Sequence, residues 1–346
     1  VKYVTMAHGA GGRLTEEVIA MARAAFPSPY LDSGLDSAVL PAAGERIAFT
    51  TDSFVVRPLF FPGGDIGRLA VCGTVNDLAV VGARPRFLSC ALILEEGLAL
   101  EELGRALGSM GEAAREAGVE IVTGDTKVVE RGKGDGIYVT TAGIGLVPVD
   151  IDLSGGRAEE GDALIVSGTL GDHAMTILGM REALGFESSL KSDCAPLGGL
   201  VAALLESGAQ VRFLRDLTRG GLAAALNELS ELRGLSLEID EESLPARKEV
   251  RALSEILGID LPSMANEGKL VAVVRGADAG KALAVMRAHR YGREAAIVGS
   301  VVEAPTAARG AELARGSGAA RVRIRTVAGS LRILPRPSGD KLPRIC

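Results

Sequence analysis

The chain has 346 residues, 38 basic and 44 acidic, for a formal net charge of −6. That balance argues against a protein that coats nucleic-acid phosphates, and no apolar run approaches the ~20 residues of a membrane span. Hydrophobic residues make up 47% and charged residues 24%, an ordinary globular composition whose length suits about two domains.

Four cysteines, Cys72, Cys90, Cys194 and Cys346, show no CxxC pairing, so neither a zinc site nor a disulfide framework is indicated. The opening residues carry no signal-peptide apolar core, and a cytoplasmic protein is the expectation. Glycine supplies 45 residues, nearly twice the ~7% average. Such an excess implies tight turns and close backbone approaches, often to phosphate.

In chain order, residues 8–12 (HGAGG) form a glycine-rich loop ahead of a helix expected over 15–25. The N–H groups of Gly9, Gly11 and Gly12 can wrap an anion, although a plain N-terminal turn is about as good a reading. Strands are expected over 46–53, 87–94, 118–123 and 136–145, with helices over 66–81 and 100–117 between them. A polar stretch over 149–160 marks a boundary between units spanning 1–150 and 151–334. The second unit opens with a strand over 163–167 and a turn over 168–172. Helices follow over 173–184, 196–206, 220–232 and 247–257. Strands over 269–274 and 296–302 flank a helix over 279–290. Residues 321–334 alternate well enough for two short strands. Residues 335–346 hold three prolines and read as an extended, flexible tail. The expected fold class is α+β, in two units whose sheets are covered by helices.

Five carboxylates stand out. Asp36 sits in a turn, Asp52 ends a strand, and Asp77 follows Asn76 inside an apolar helix pattern. Asp125 follows Gly124 at a strand end, and Asp216 precedes Leu-Thr-Arg219-Gly220-Gly. A single Asp is more often a helix cap or a solvated loop residue. Five at strand ends or in apolar surroundings suggest hard oxygen ligands for Mg²⁺ shared with a nucleotide. Asp77 is the least bland, because a charge in such a setting needs a partner or a metal. Lys127 lies two residues after Asp125, which in a strand puts both on one face, a carboxylate for metal beside an ammonium for phosphate. Its plainer reading is a surface lysine. Glu267, in Asn-Glu-Gly-Lys before an apolar strand, is either a positioned base or a polar turn. Cys346 is either an accidental last residue or a thiol on a mobile arm; the other three cysteines lie in apolar or helical segments and read as packing.

The motifs HGAGG, TTDSFVV, LFFPGGDIGRLAVCGTVNDLAVVGA, VTGDTKVV, VSGTLGDH, RDLTRGG, ANEGKL and PRIC, in that order, resemble the HypE family of hydrogenase maturation proteins. The wider glycine motifs are shared by aminoimidazole ribonucleotide synthetases, selenophosphate synthetases and thiamine-phosphate kinases; PRIC, residues 343–346, is far more specific. The resemblance implies a two-domain PurM-like architecture. Its N-terminal domain is a mixed sheet with helices that dimerises, its C-terminal domain is an α+β sandwich, and a flexible tail of residues 335–346 ends in the reactive cysteine. It further implies that HypF carbamoylates Cys346 and that ATP then drives dehydration of the S-carboxamide to a thiocyanate. The cyano group passes to iron in the HypC–HypD complex, for [NiFe]-hydrogenase. By similarity, Asp36, Asp52, Asp77, Asp125 and Asp216 match acidic positions associated with Mg²⁺. Gly9, Gly11, Gly12, Asp52, Asn76, Asp77, Thr126, Arg219 and Gly220 match the ATP site. Lys127 and Glu267 match residues implicated in dehydration beside Cys346. A homodimer is implied, with N-terminal domains joining to build the nucleotide site. Two departures are visible: Ala10 stands where a serine is usual, and Asp36 lies in DSGLDSAVL rather than a doubled-Asp form.

Two alternatives remain: another ATP-dependent kinase or synthetase of the same superfamily, or a non-catalytic carrier that presents Cys346. No cysteine lies in the N-terminal glycine loop, which disfavours a selenophosphate synthetase. The net charge is also a sum of unlike parts, since residues 321–346 carry +6 and the remainder −12. A basic arm on an acidic body suits a tail that docks into its own Asp-rich site.

Overall fold

The computed structural model describes residues 38–42, 44–181, 189–303, 321–337 and 344–346. Asp36, Gly9, Gly11, Gly12 and the helix expected over 15–25 lie outside the described residues.

The first unit is a five-stranded mixed sheet. Its strands are β1 (Ala38–Ala42), β2 (Glu45–Phe54), β5 (Arg84–Glu95), β6 (Glu120–Val129) and β7 (Ile137–Val147), in the order β1-β2-β7-β5-β6. A small hairpin of β3 (Phe60–Phe61) and β4 (Gly64–Asp65) leads into helix α1 (Ile66–Val80). All pairs in the large sheet are antiparallel except β5 with β6. One face is covered by α1 and α2 (Leu100–Ala117). The burial of β7 alternates along its whole length, with Ile137, Val139, Thr141 and Val147 inward and Thr140 and Ile144 outward.

Helix α1 is apolar all round and is buried on nearly every side, as such a pattern requires. Asp65 caps it by accepting the N–H groups of Gly67 and Arg68 at 2.8 and 3.1 Å. Gly67 allows α2 to cross closely: a Cβ there would lie 2.0 Å from the carbonyl oxygen of Ala106. Helix α2 ends at Gly118, in the left-handed conformation with φ 70°.

The second unit is a seven-stranded sheet. Its strands are β8 (Ala163–Val166), β9 (Val211–Asp216), β10 (Ser236–Asp240), β11 (Leu270–Val274), β12 (Ala296–Val302), β13 (Val322–Arg325) and β14 (Leu331–Ile333), in the order β14-β13-β10-β12-β8-β11-β9. Its helices are α3 (Asp172–Arg181), α4 (Gly198–Glu206), α5 (Gly221–Arg233), α6 (Lys248–Leu257) and α7 (Ala279–Ala288). Leu270, Ala272 and Val274 of β11 enter one apolar cluster with α4 and α7, while Val271 and Val273 enter another with α5. A strand buried on both faces reads as an unbroken apolar run, which is why LVAVV carries no alternation.

The expected elements among the described residues are present, with ends shifted by a few residues. The strand expected over 118–123 runs on to Val129, so Asp125 and Lys127 are mid-strand. Strands β1, β9 and β10 were not expected. The latter two are short and carry interleaved charges, Arg212, Arg215 and Glu238, that hide their inward residues.

The two units meet along α1. Asn76, 1% exposed, donates to the carbonyl of Ala195 at 3.1 Å and accepts the N–H of Leu197 at 2.7 Å. Arg68 donates to the Cys194 carbonyl at 3.0 Å and pairs with Glu116 of α2 at 2.8 Å. Replacing Gly67 by Ala forces α1 and α2 apart. It is expected to destabilise the protein by about 1–3 kcal/mol, read as a lower melting temperature in calorimetry; an unchanged melting temperature would show that the crossing has slack.

Candidate functional site

The segment Asn266–Lys269 shows how a short motif builds a pocket. Asn266 is fully buried. Its side-chain oxygen accepts the Gly171 N–H at 2.8 Å, and its amide donates to the carbonyls of Leu217 and Met264, both at 3.0 Å. That fixes the backbone from which Glu267 projects. Gly268 lets the chain approach the loop opposite, since a Cβ there would lie 2.0 Å from the Asp193 carbonyl oxygen. Lys269 then pairs with the buried Asp193 carboxylate at 3.1 Å, and the Glu267 N–H donates to the other Asp193 oxygen at 3.1 Å.

Glu267 is 2% exposed, and its Oε1 has no hydrogen-bond partner. Burial pushes its carboxyl well above the ordinary carboxylate range. The charges of Asp193, Asp216 and Asp52 push it the same way, and Arg219 opposes them. Asp52 is itself raised by burial, with Arg219 and the Ser53 N–H pulling it back. These carboxylates therefore share one electrostatic environment, with the exposed Arg219 at its mouth. Arg219 and Gly220 lie in the turn from β9 into α5. Gly220, with φ 81°, and Gly221, with φ 56°, permit that turn, and a Cβ on Gly221 would meet the Met264 carbonyl oxygen at 2.3 Å.

The donor set is oxygen only, which suits a hard divalent cation. Among the described residues, however, no three Asp, Glu, His or Cys side chains converge closely enough to hold a metal by themselves.

Residues 344–346 are seated against the segment that follows β2 and against α3. The Val55 N–H donates to the Cys346 carbonyl at 3.1 Å, three residues after Asp52, a span of about 10 Å along a strand. Cys346 is 9% exposed and packs in the main apolar cluster. Described arginines of the C-terminal region meet acids of the body. Arg344 pairs with Asp135, and Arg336 with Glu228 and Glu231 at 3.3 and 3.1 Å.

Asp77 stays on the helix-covered face with Asp52: Thr50, two residues before Asp52 on β2, donates to it at 2.8 Å. Asn76 spends its amide on the seam described above. Asp125 and Lys127 form an exposed ion pair at 2.6 Å, and the Thr126 N–H donates to Asp125 at 2.8 Å. The register places them on the far face. Asp52 pairs across to Thr141, whose side chain turns toward the helices, whereas Asp125 aligns through Ala91 with Thr140 on the open face. Strands β7 and β5 also intervene, so β2 and β6 are about 14 Å apart. Among the described residues, Asp52, Asp216 and Glu267 share one electrostatic environment, Asp77 lies one turn along α1 from the glycine that faces Asp52, and Asp125 stands on the other face.

Sequence reading missed Asp193, Ser192 and His173. Asp193 gave no signal beyond a charge beside Cys194. His173 gave one: it is one of three histidines in the chain and opens an apolar helix.

The two helix-covered sheets joined along a buried helix correspond to the two domain models of the AIR synthase related family. The N-terminal domain model of that family matches residues 34–147 and its C-terminal domain model residues 159–310. The carbamoyl dehydratase HypE of Cupriavidus necator is 48% identical over 99% of this chain and 95% of its own. The HypE of Escherichia coli K12 is 46% identical over 99% of both. The crystal structure of a HypE–HypF complex superposes with a TM-score of 0.84 at 45% identity, covering 94% of this chain and 100% of that one. HypE in complex with ATP gives 0.81 at 45%, covering 98% of each. The chain belongs to the AIR synthase related family and, within it, to the HypE group.

A raised carboxyl has a sign. The unfolded chain ionises such a group near pH ~4.3, whereas the folded pocket holds Glu267 protonated well above that. Folding stability is therefore largest below the unfolded value and falls as pH rises toward the folded one. Glu267→Gln removes that penalty. Its melting temperature should rise relative to the native protein at pH 8 and match it at pH 4; a constant offset between the two would mean that Glu267 is not protonated in the fold.

Proposed function

We propose that this protein is an ATP-dependent carbamoyl dehydratase that converts the S-carboxamide of its own Cys346 to a thiocyanate, the source of cyanide ligands for [NiFe]-hydrogenase iron. The observation that carries this reading is the buried Glu267 carboxyl, whose Oε1 has no hydrogen-bond partner, in a chain whose Cys346 is held against the body by main-chain hydrogen bonds. The near full-length likeness to named carbamoyl dehydratases supports it.

The chemistry sets the requirements. A carboxamide oxygen is a poor leaving group; ATP supplies a phosphoryl group that makes it a good one. The oxygen leaves as phosphate, two protons leave nitrogen, and the carbon–nitrogen bond becomes a nitrile. Glu267 accepts a proton from nitrogen, for which it must be ionised. A cation shared between Asp52, Asp216 and the nucleotide phosphates, proposed here as Mg²⁺, would remove two of the charges that keep Glu267 protonated. Arg219 and Gly220 border the phosphate end, with the N-terminus of α5 behind them. Asp36, Gly9, Gly11, Gly12, Asn76 and Asp77 keep their proposed places around the nucleotide, Asn76 acting through the backbone it holds.

Asp125, Thr126 and Lys127 enter this scheme from a second copy. Their strand is an exposed edge, with Val122 57% and Val128 66% exposed. The open face beside it carries a cross-strand row, Phe49–Ile144–Phe87, of which every member is at least 40% exposed. An apolar sheet face of this kind calls for a covering surface, and a homodimer through the N-terminal domains provides one. Lys127 would then meet the partner's nucleotide. The domains are taken as 1–150 and 151–334, with 335–346 as the tail. HypF is the proposed carbamoyl donor and the HypC–HypD complex the cyanide acceptor. A reducing cytoplasm suits the four free thiols, and among the described residues no helix is long and apolar enough to cross a membrane.

Intact mass spectrometry after incubation with HypF, carbamoyl phosphate and Mg²⁺–ATP tests the reaction. The mass should rise by one carbamoyl group and then fall by one water, only when Cys346 is present. Glu267→Ala should bind ATP yet slow the water loss at least ~100-fold; retention of the carboxamide by the native protein would refute the dehydratase reading. Ile144→Lys should convert a two-chain species into a single chain in light scattering, and a dimer that survives it would remove the basis for a shared site.

A further inference from the structure

The tail is held by a device that the dehydration chemistry does not require. His173 is fully buried, with Nε2 2.7 Å from the Ile345 carbonyl oxygen and Nδ1 2.7 Å from Ser192 Oγ. Its ring stands edge-on to Phe61, centroids 5.4 Å apart at 81°. A carbonyl can only accept, so Nε2 carries the hydrogen. A neutral ring then accepts at Nδ1, and Ser192 must donate its O–H there. Ser192 Oγ accepts the Cys194 N–H at 3.2 Å, and the Ser192 N–H is fixed on the Pro62 carbonyl at 2.8 Å. One tautomer satisfies every atom of this chain. Burial favours it by keeping the imidazole neutral, against the pull of Asp193.

The main chain of the tail supplies the other half. The Arg57 N–H donates to the Arg344 carbonyl at 3.2 Å and the Val55 N–H to the Cys346 carbonyl at 3.1 Å. These carbonyls alternate, so that of Ile345 faces the opposite way, toward His173. Arg181 adds a second donor to the Arg344 carbonyl. Three successive carbonyls are therefore held from two sides. Such contacts read position along the backbone and not side-chain identity. A slip of one residue would bring the wrong carbonyl to His173 and put a different side chain in the place of Cys346.

We propose that His173, oriented by Ser192, is a positioning residue that sets the register of the tail, so that Cys346 and not its neighbour is delivered to the dehydration site. The proposal rests on the dehydratase reading for its purpose, though not for its geometry.

The test is the rate of Cys346 alkylation by iodoacetamide, followed by peptide mass spectrometry on the full-length protein without nucleotide, with Cys72 and Cys194 as internal controls. His173→Phe keeps an aromatic ring against Phe61 but orphans the Ile345 carbonyl. Cys346 alkylation should rise roughly tenfold, the ratio that corresponds to ~1.4 kcal/mol, within the usual cost of such a loss. His173→Gln restores an N–H donor and should stay within about threefold of the native rate. Carbamoylated His173→Phe should lose water correspondingly slowly, with His173→Gln rescuing it. If Cys72 and Cys194 also react in the Phe variant, the fold has opened, and Ser192→Ala decides: a several-fold rise confined to Cys346 supports the clamp, and no rise overturns it. Equal exposure of Cys346 in the Phe and Gln variants, or native protection in both, also overturns it. Because alkylation needs no ATP, a native protein that keeps its carboxamide while showing this pattern would sink the dehydratase reading and leave the clamp standing.

Discussion

A buried primary amide fixes the relation between the two halves of the molecule. Asn76 lies on a helix that is otherwise apolar, where an unsatisfied amide would cost several kcal/mol. Its oxygen and nitrogen find partners only in the backbone at Leu197 and Ala195, with the Glu267 carbonyl 3.4 Å from the same nitrogen. Apolar packing alone would tolerate sliding of the helix across the second sheet. The amide does not, because any displacement breaks directional bonds on both sides. The same side chain thus aligns α1, the loop that carries Ser192 and Asp193, and the backbone of Glu267.

That alignment creates a conflict of charge. Glu267 is pressed among Asp193, Asp216 and Asp52, with Arg219 opposing them and Lys269 paired to Asp193. A pocket built only for stability would have replaced some of these groups with apolar ones, since buried like charges are costly. In the proposed reaction, positive charge arriving with the nucleotide would relieve the pressure that holds the Glu267 carboxyl up, so that cation binding and the basicity of Glu267 would be two consequences of one electrostatic field.

How much of this was legible in the sequence differed by kind of signal. Strands buried on one face and helices with apolar stripes were readable, because period two and period 3.6 survive in composition. The short strands at Val211–Asp216 and Ser236–Asp240 were not, because charged residues on their outer positions break the run. Glu267 was legible through its motif, and the structure explains each letter of it. Asp77 illustrates the opposite: a charge in an apolar helix demanded a partner, and the partner was Thr50, a residue 27 positions away that no local pattern could nominate. Asp125 and Lys127 were rightly read as sharing a face, but which face depends on pairing across four strands. His173 was hidden because its role lies in a backbone carbonyl, which carries no residue identity.

The division of charge between tail and body takes a more specific form in the fold. Among the described residues, Arg332, Arg336 and Arg344 pair with acids other than those around Glu267. Arg344 is paired with Asp135, whose carboxyl burial would raise but which Arg344 and Arg57 hold below the usual range. Arg332 pairs with Asp260, and Arg336 with Glu228 and Glu231. Each of these acids is distinct from Asp52, Asp216 and Glu267, so these arginines seat the chain without drawing on the carboxylates around Glu267. Exposed members of this set, such as the Arg332–Asp260 pair, are screened by salt, whereas the buried His173 to Ile345 bond is not. On the proposed clamp, electrostatics seats the arginine-bearing segments, and main-chain hydrogen bonds set which residue of the C-terminus is held where.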